Sequence, residues 1–140
     1  MPDPTPLVVA IAEVLDRAFI DAAGPVLLHA VLEADDVVLG VRELAVGVHP
    51  CDALGGWAGS PRWWAVGLRV HGTAHRLDAP DAGPSRIVST FVLARDGSHA
   101  SLLREGARVS ALPGPVHGRI PDLCRALLVP SAKPGREVAP

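Results

Sequence analysis

Residues 86–104 read RIVSTFVLARDGSHASLLR, and this segment gives the clearest indication of the fold expected of the chain. Two runs rich in β-branched and other apolar residues, 86–94 and 99–104, lie on either side of Asp96 and Gly97. Because Asp and Gly accept the positive φ angles that a tight hairpin turn requires, the pattern predicts two adjacent antiparallel strands.

Further strands are predicted upstream of this hairpin. Residues 26–33 and 37–48 are rich in Val and Leu and are separated by a short segment with two aspartates, which predicts two strands joined by a turn. The first of them is an unbroken apolar run, so a short buried helix is the alternative. Residues 65–77 place apolar side chains at alternate positions and Arg69 on the opposite face, as expected of a strand.

A helix is predicted at each end of these strands. Pro6 fits the first position of one helix, and apolar residues then recur at spacings of three and four. Pro121 begins a second amphipathic helix, which Pro130 ends. The sequence therefore predicts an α+β fold: a single two-layer domain over residues 1–130, in which the N- and C-terminal helices cover one face of a mostly antiparallel sheet. A flexible tail is expected at 131–140.

Composition excludes several classes of function. The formal net charge is −2 and the pI about 6.3, whereas a general nucleic-acid binder needs a basic stripe, so no nucleic-acid partner is expected. No apolar run reaches the roughly 18–20 residues that span a bilayer, so no membrane association is expected either. Cys51 and Cys124 lie far apart in the sequence, which predicts free thiols and a cytoplasmic location.

Three amino acids are missing from the chain, and their absence limits the chemistry available. The sequence contains no Asn, Gln or Tyr. A Cys-His-Asn triad, a tyrosine general acid and an Asn or Gln oxyanion donor are therefore excluded.

The tryptophans form the most unusual cluster of the sequence. All three lie between residues 57 and 64, in a glycine-containing loop that also carries an arginine. Trp and Arg are enriched among interface hot spots, although packing against the edge of the core is the alternative. Because neighbouring residues on an extended segment point to opposite faces, Trp63 and Trp64 are not both expected to be buried by one surface.

These observations predict a small protein-binding or regulatory module without catalytic activity. Its partner is expected to be another protein or a second copy of the chain, and no cofactor is expected. The predicted recognition residues are Trp57, Arg62, Trp63 and Trp64.

A metal-dependent hydrolase is the main alternative. His49, Cys51 and Asp52 supply the ligand types that zinc prefers, but capping and packing roles are the simpler interpretation, and no metal is favoured. His71 and His75 would lie about 13 Å apart on a strand, too far to hold one ion directly. A small-molecule sensor, with its pocket between sheet and helix, is the third possibility.

Three segments resemble parts of small uncharacterised proteins from actinobacteria. They are residues 60–68 (SPRWWAVGL), the hairpin at residues 90–104 and the ending at residues 119–127 (RIPDLCRAL). Together they cover about half of the chain. The resemblance implies a cytoplasmic protein from a GC-rich genome and assigns no activity.

A second resemblance concerns the end of the second predicted strand. Val48, His49 and Pro50 look like the tail of the His-x-His-Pro motif of JAB/MPN domains, which are metalloproteases. Gly47 stands where that motif has its first histidine, and Ser60 is followed three residues later by a tryptophan and not by an aspartate. The resemblance therefore implies an inactive, partner-binding version of that domain.

Overall fold

A computed structural model describes residues 5–54, 57–74, 78, 80–112, 118–128 and 136–137. Along the chain, a helix is followed by strands, a short helix, more strands and a last helix. In chain order the elements are α1 (Thr5–Ala18), β1 (Val26–Glu33), β2 (Asp36–Glu43), α2 (Pro50–Ala53), β3 (Trp57–Ala58), β4 (Ala65–Ala74), a 3-10 turn (Pro80–Ala82), β5 (Ser85–Ala94), β6 (His99–Glu105), β7 (Arg108–Ala111), α3 (Arg119–Leu128) and β8 (Arg136–Glu137).

One antiparallel sheet dominates the described part of the chain. Its strands lie in the order β2-β1-β4-β5-β6-β7, and each neighbouring pair is antiparallel. The predicted hairpin is confirmed, because Leu93 pairs with His99 and Gly97 has a φ of 95° in the turn. The predicted α+β class with a mostly antiparallel sheet is therefore confirmed.

The two long helices differ from the prediction in their placement, because they pack on opposite faces of the sheet. Val8, Ile11 and Leu15 of α1 share one buried cluster with even-numbered residues of β1 and β5. Cys124 and Leu127 of α3 share another cluster, with odd-numbered residues of the same strands. Since successive side chains of a strand point to opposite faces, a strand that is apolar throughout needs a cover on each side. The expected two-layer arrangement is therefore wrong in this respect, and the helices and sheet form three layers.

Several element boundaries differ from the sequence-based expectation. β2 ends at Glu43; one further ladder hydrogen bond, from the Leu44 N–H to the carbonyl of Pro25, follows before the chain turns at residues 46–47. β4 is described as far as Ala74, so the rest of the strand predicted to residue 77 lies outside the described residues. Within the predicted tail, Arg136–Glu137 pairs in parallel with β3. No helix among the described residues is long and apolar enough to cross a membrane.

Candidate anion-binding site

Trp63 and Trp64 point to opposite faces of the sheet, as the sequence predicted. Trp63 is fully buried in the cluster beneath α3, and its ring stacks on His29 with centroids 4.6 Å apart. Its carbonyl accepts hydrogen bonds from Arg95. Trp64 is half-buried against the cluster beneath α1. Trp63 is therefore a core residue of this structure and is not available to a partner.

The other two predicted recognition residues are less constrained. Arg62 is exposed, and its Nη2 lies 3.5 Å from Oε1 of Glu33. Trp57 belongs to β3, but its side chain lies outside the described part of the structure. Of the predicted recognition residues with described side chains, Arg62 and part of Trp64 remain at the surface.

His49, Cys51 and Asp52 have structural partners. Nδ1 of His49 accepts the backbone N–H of Cys51 at 3.1 Å and so caps α2. The Cys51 thiol donates to the carbonyl of Arg119, and Asp52 forms an exposed ion pair with the same arginine. Among the described residues no three His, Cys, Asp or Glu side chains are grouped to hold a metal ion, and His75 lies outside them.

A basic cleft lies on the face of the sheet that carries α1. Its volume is about 630 Å³, and the segment that follows α1 forms one side. Its lining includes four basic side chains and, among the described residues, no carboxylate. The basic residues are Arg69, His71, Arg86 and Arg104. The cleft therefore brings together the side chains that bind anions.

The register of the sheet explains why these residues meet. Arg69 and His71 are two apart on β4 and therefore share a face. On β5, Arg86 pairs with Thr73 of β4, while Val88 pairs with Arg104 of β6. Because adjacent strands are about 4.8 Å apart, three strands bring their basic side chains to one region beyond the end of α1.

A buried carboxylate from α1 joins two of these arginines. Asp16 is only 2% exposed. Nη2 of Arg104 lies 2.6 Å from Oδ2 of Asp16, and Nε lies 3.1 Å from both carboxylate oxygens. These hydrogen bonds raise the pKa of Arg104. Nε of Arg69 is farther away, 3.9 Å from Oδ1. One carboxylate thus faces two guanidinium groups, which leaves an excess positive charge.

Arg69 is the unsatisfied member of this cluster. It is 1% exposed, yet its Nε and Nη1 have no hydrogen-bond partner, and neither has Oγ1 of Thr90, which pairs with Arg69 across the strands. Burial lowers the pKa of Arg69, the charge of Asp16 opposes that effect and the charge of Arg104 adds to it. A guanidinium nevertheless stays protonated in proteins. Leaving a buried donor unpaired costs about 1–3 kcal/mol.

The remaining basic side chains complete the cleft. His71 is hydrogen-bonded through Nε2 to the carbonyl of Ala22 at 2.8 Å. Because a carbonyl only accepts, Nε2 carries the proton of this hydrogen bond, and Nδ1 of the neutral ring is an acceptor, so the arginines are the donors available to an anion. Arg86 makes no ion pair with any side chain that the structure describes. The arrangement suits a carboxylate or phosphate group, which arginine binds with two parallel hydrogen bonds.

Sequence reasoning missed this site because its residues are distant along the chain. The sequence placed Arg69 on the face of its strand opposite the apolar residues, and that was the available indication. Arg86 and Arg104 approach it only through the register of three strands. No protein-family model, curated protein or solved structure matches the chain.

Proposed function

We propose that this protein is a binding domain for a small molecule that carries a carboxylate or phosphate group. The observation that supports this most strongly is Arg69, a buried guanidinium in the lining of a basic cleft, whose Nε and Nη1 have no hydrogen-bond partner. Among the functions considered from the sequence, this is the small-molecule sensor, and it retains the expectation of a binding or regulatory role.

The energetics of the cleft favour an anionic ligand. A ligand oxyanion in the cleft would offset the excess charge that Asp16 leaves, and it would supply an acceptor for the buried, unpaired donors of Arg69 if the guanidinium turned toward the cleft. Hydrogen bonds to charged groups contribute about 1.5–3 kcal/mol each. Binding would thus relieve a cost that the unliganded protein carries.

The size of the cleft favours a small molecule over a macromolecule. Pockets for small molecules measure about 300–1,000 Å³, and the volume of this one, about 630 Å³, lies within that range. The Trp-rich loop is a weaker recognition surface than the sequence suggested, because Trp63 is buried.

The proposal is tested by isothermal titration calorimetry with orthophosphate and citrate at constant ionic strength. Arg86→Ala removes an exposed cleft arginine, and we expect it to weaken binding of the better probe about tenfold or more. Arg108→Ala is the matched control. Arg108 is exposed on β7 and lies opposite Glu105 of β6 in the strand register, so their side chains share a face of the sheet. That face is the one opposite the cleft.

Two results would contradict the proposal. One is the absence of binding by the wild-type protein to either probe at millimolar concentration. The other is an equal loss of affinity in Arg86→Ala and Arg108→Ala, which would indicate nonspecific attraction between arginines and anions.

A further inference from the structure

β2 forms one edge of the sheet, and its outer side has no strand partner among the described residues. The strand has eight residues, of which Val38, Leu39 and Val41 are 47%, 37% and 42% exposed. A long apolar edge strand is a template for pairing with another chain unless it is covered or protected by charge. This edge therefore has the character of an interaction surface.

The turn between β1 and β2 determines which residues of the edge are available. Glu33 pairs with Asp36 around a two-residue turn, and the closing pair of such a hairpin is hydrogen-bonded. Even-numbered residues of β2 therefore direct their N–H and C=O groups toward β1. The N–H of Leu44, which donates to the carbonyl of Pro25, agrees with this alternation. The odd-numbered residues direct theirs outward.

This alternation restricts how two copies of β2 can pair. In an antiparallel pair, outward-directed residues must lie opposite outward-directed residues. A two-fold pair centred on Leu39 satisfies this requirement. It places Val37 opposite Val41 and Asp36 opposite Arg42 of the other copy, so from residue 36 to residue 42 every facing pair is apolar or oppositely charged. Glu43, the last residue of the strand, faces Asp35 in the turn of the other copy.

The neighbouring register is less favourable. A pair centred on Gly40 places Arg42 opposite Val38 and Glu43 opposite Val37, with no oppositely charged pair. Charge complementarity therefore selects the register centred on Leu39. Asp36 and Arg42 are both exposed and lie at opposite ends of the paired segment.

We propose that the protein forms a homodimer in which β2 pairs with β2 of a second copy, with Leu39 on the two-fold axis. The two sheets then become one continuous sheet. The exposed Leu39 and Val41 pack against apolar residues of the other copy, and two Asp36 to Arg42 ion pairs close the ends. Such an isologous contact ends in a dimer, which covers the edge that would otherwise lead to aggregation.

Charge reversal tests both the dimer and its register by sedimentation equilibrium at low salt. Asp36→Arg places two arginine pairs in contact in its own dimer, and Arg42→Asp places two aspartate pairs in contact. We expect each variant alone to lose about tenfold or more in dimer affinity. An equimolar mixture restores both ion pairs in the heterodimer, and its affinity should return to within about threefold of the wild-type value.

A further variant and a folding control complete the experiment. Leu39→Lys places two ammonium groups on the two-fold axis and should abolish the dimer. Circular dichroism and the unfolding midpoint check that each variant is folded. Three results would overturn the proposal: a monomeric wild-type protein at about 100 µM, a dimer that all three variants leave unchanged, or charge-reversal variants that lose affinity without recovering it when mixed.

Discussion

At the scale of single residues, Arg69 carries the functional argument. Buried ion pairs are maintained when both partners are hydrogen-bonded, and removing one partner usually costs several kcal/mol. Arg69 departs from this rule, because Asp16 is already satisfied by Arg104 at 2.6 Å. Of the three residues Asp16, Arg69 and Arg104, Arg69 is therefore the one that contributes least to the stability of the fold.

This difference predicts an unusual outcome for Arg69→Met. The substitution removes a buried guanidinium whose Nε and Nη1 lack hydrogen-bond partners, leaves the Asp16–Arg104 pair intact and gives up only the longer 3.9 Å contact of Arg69 with Asp16. The methionine fills much of the space. We expect the free energy of unfolding from urea denaturation to change by less than about 1 kcal/mol or to increase. Anion binding should be lost. A loss of about 3 kcal/mol or more would show instead that Arg69 stabilises the fold.

His29 leads to a second prediction, about pH. Its ring stacks on Trp63 and lies over Gly40, where an added Cβ would be 2.3 Å from two ring atoms. Burial lowers the pKa of His29 below 6.5, and the charge of Arg42 lowers it further. The unfolded chain therefore takes up this proton more readily than the folded one, so the stability that the neutral ring provides is lost as pH falls below about 6.5.

His29→Phe separates this effect from that of the other histidines. Phenylalanine keeps an aromatic ring against Trp63 but does not titrate. The free energy of unfolding, measured by urea denaturation between pH 7.5 and pH 5, should fall less steeply in the variant than in the wild-type protein. Equal slopes would contradict the assignment to His29.

At the scale of elements, the hairpins show how local sequence determines the sheet. The β5–β6 hairpin uses Gly97 at a φ of 95°, as its Asp-Gly pair predicted. The β1–β2 hairpin uses Ala34 at a φ of 46°, a region that disfavours residues with a Cβ. The second turn therefore carries backbone strain that the first avoids.

Ala34→Gly should relieve that strain. Glycine adopts positive φ angles without steric cost, so we expect the variant to gain about 0.5–1 kcal/mol in the free energy of unfolding. Ala107→Gly is a matched control, because Ala107 lies in the other short turn, between β6 and β7, and its φ is not positive. The two variants are compared by thermal denaturation. An Ala34→Gly protein no more stable than Ala107→Gly would contradict this account of the turn.

At the scale of the whole molecule, local patterns predicted the elements but not their arrangement. The Asp96-Gly97 turn and the helices beginning near Pro6 and Pro121 follow from short-range chemistry, and the structure contains all of them. The placement of the helices on opposite faces follows from tertiary packing. The central strands of the sheet have apolar side chains on both faces, and each face is buried by one helix.

The candidate site was beyond sequence reasoning for the same physical reason. The predicted residues His49, Cys51 and Asp52 are close in sequence, and the structure gives them capping, hydrogen-bonding and ion-pair partners. Arg69 and Arg104 are distant in sequence and meet through the sheet and Asp16. The tryptophans were predicted as recognition residues because they are rare in the sequence. The cleft is formed instead by arginines, which are common in the sequence and become neighbours only through the register of the strands.

Binding of a small anion in the cleft on the α1 face can be followed residue by residue in a chemical-shift titration. Amide spectra of ¹⁵N-labelled protein are recorded while orthophosphate is added at constant ionic strength and pH. The account predicts saturable shifts concentrated at residues 69–73 of β4 and 86–90 of β5, which Arg69→Met abolishes. Shifts that do not saturate, or that occur at β7 and the opposite face while the cleft is unaffected, would contradict it.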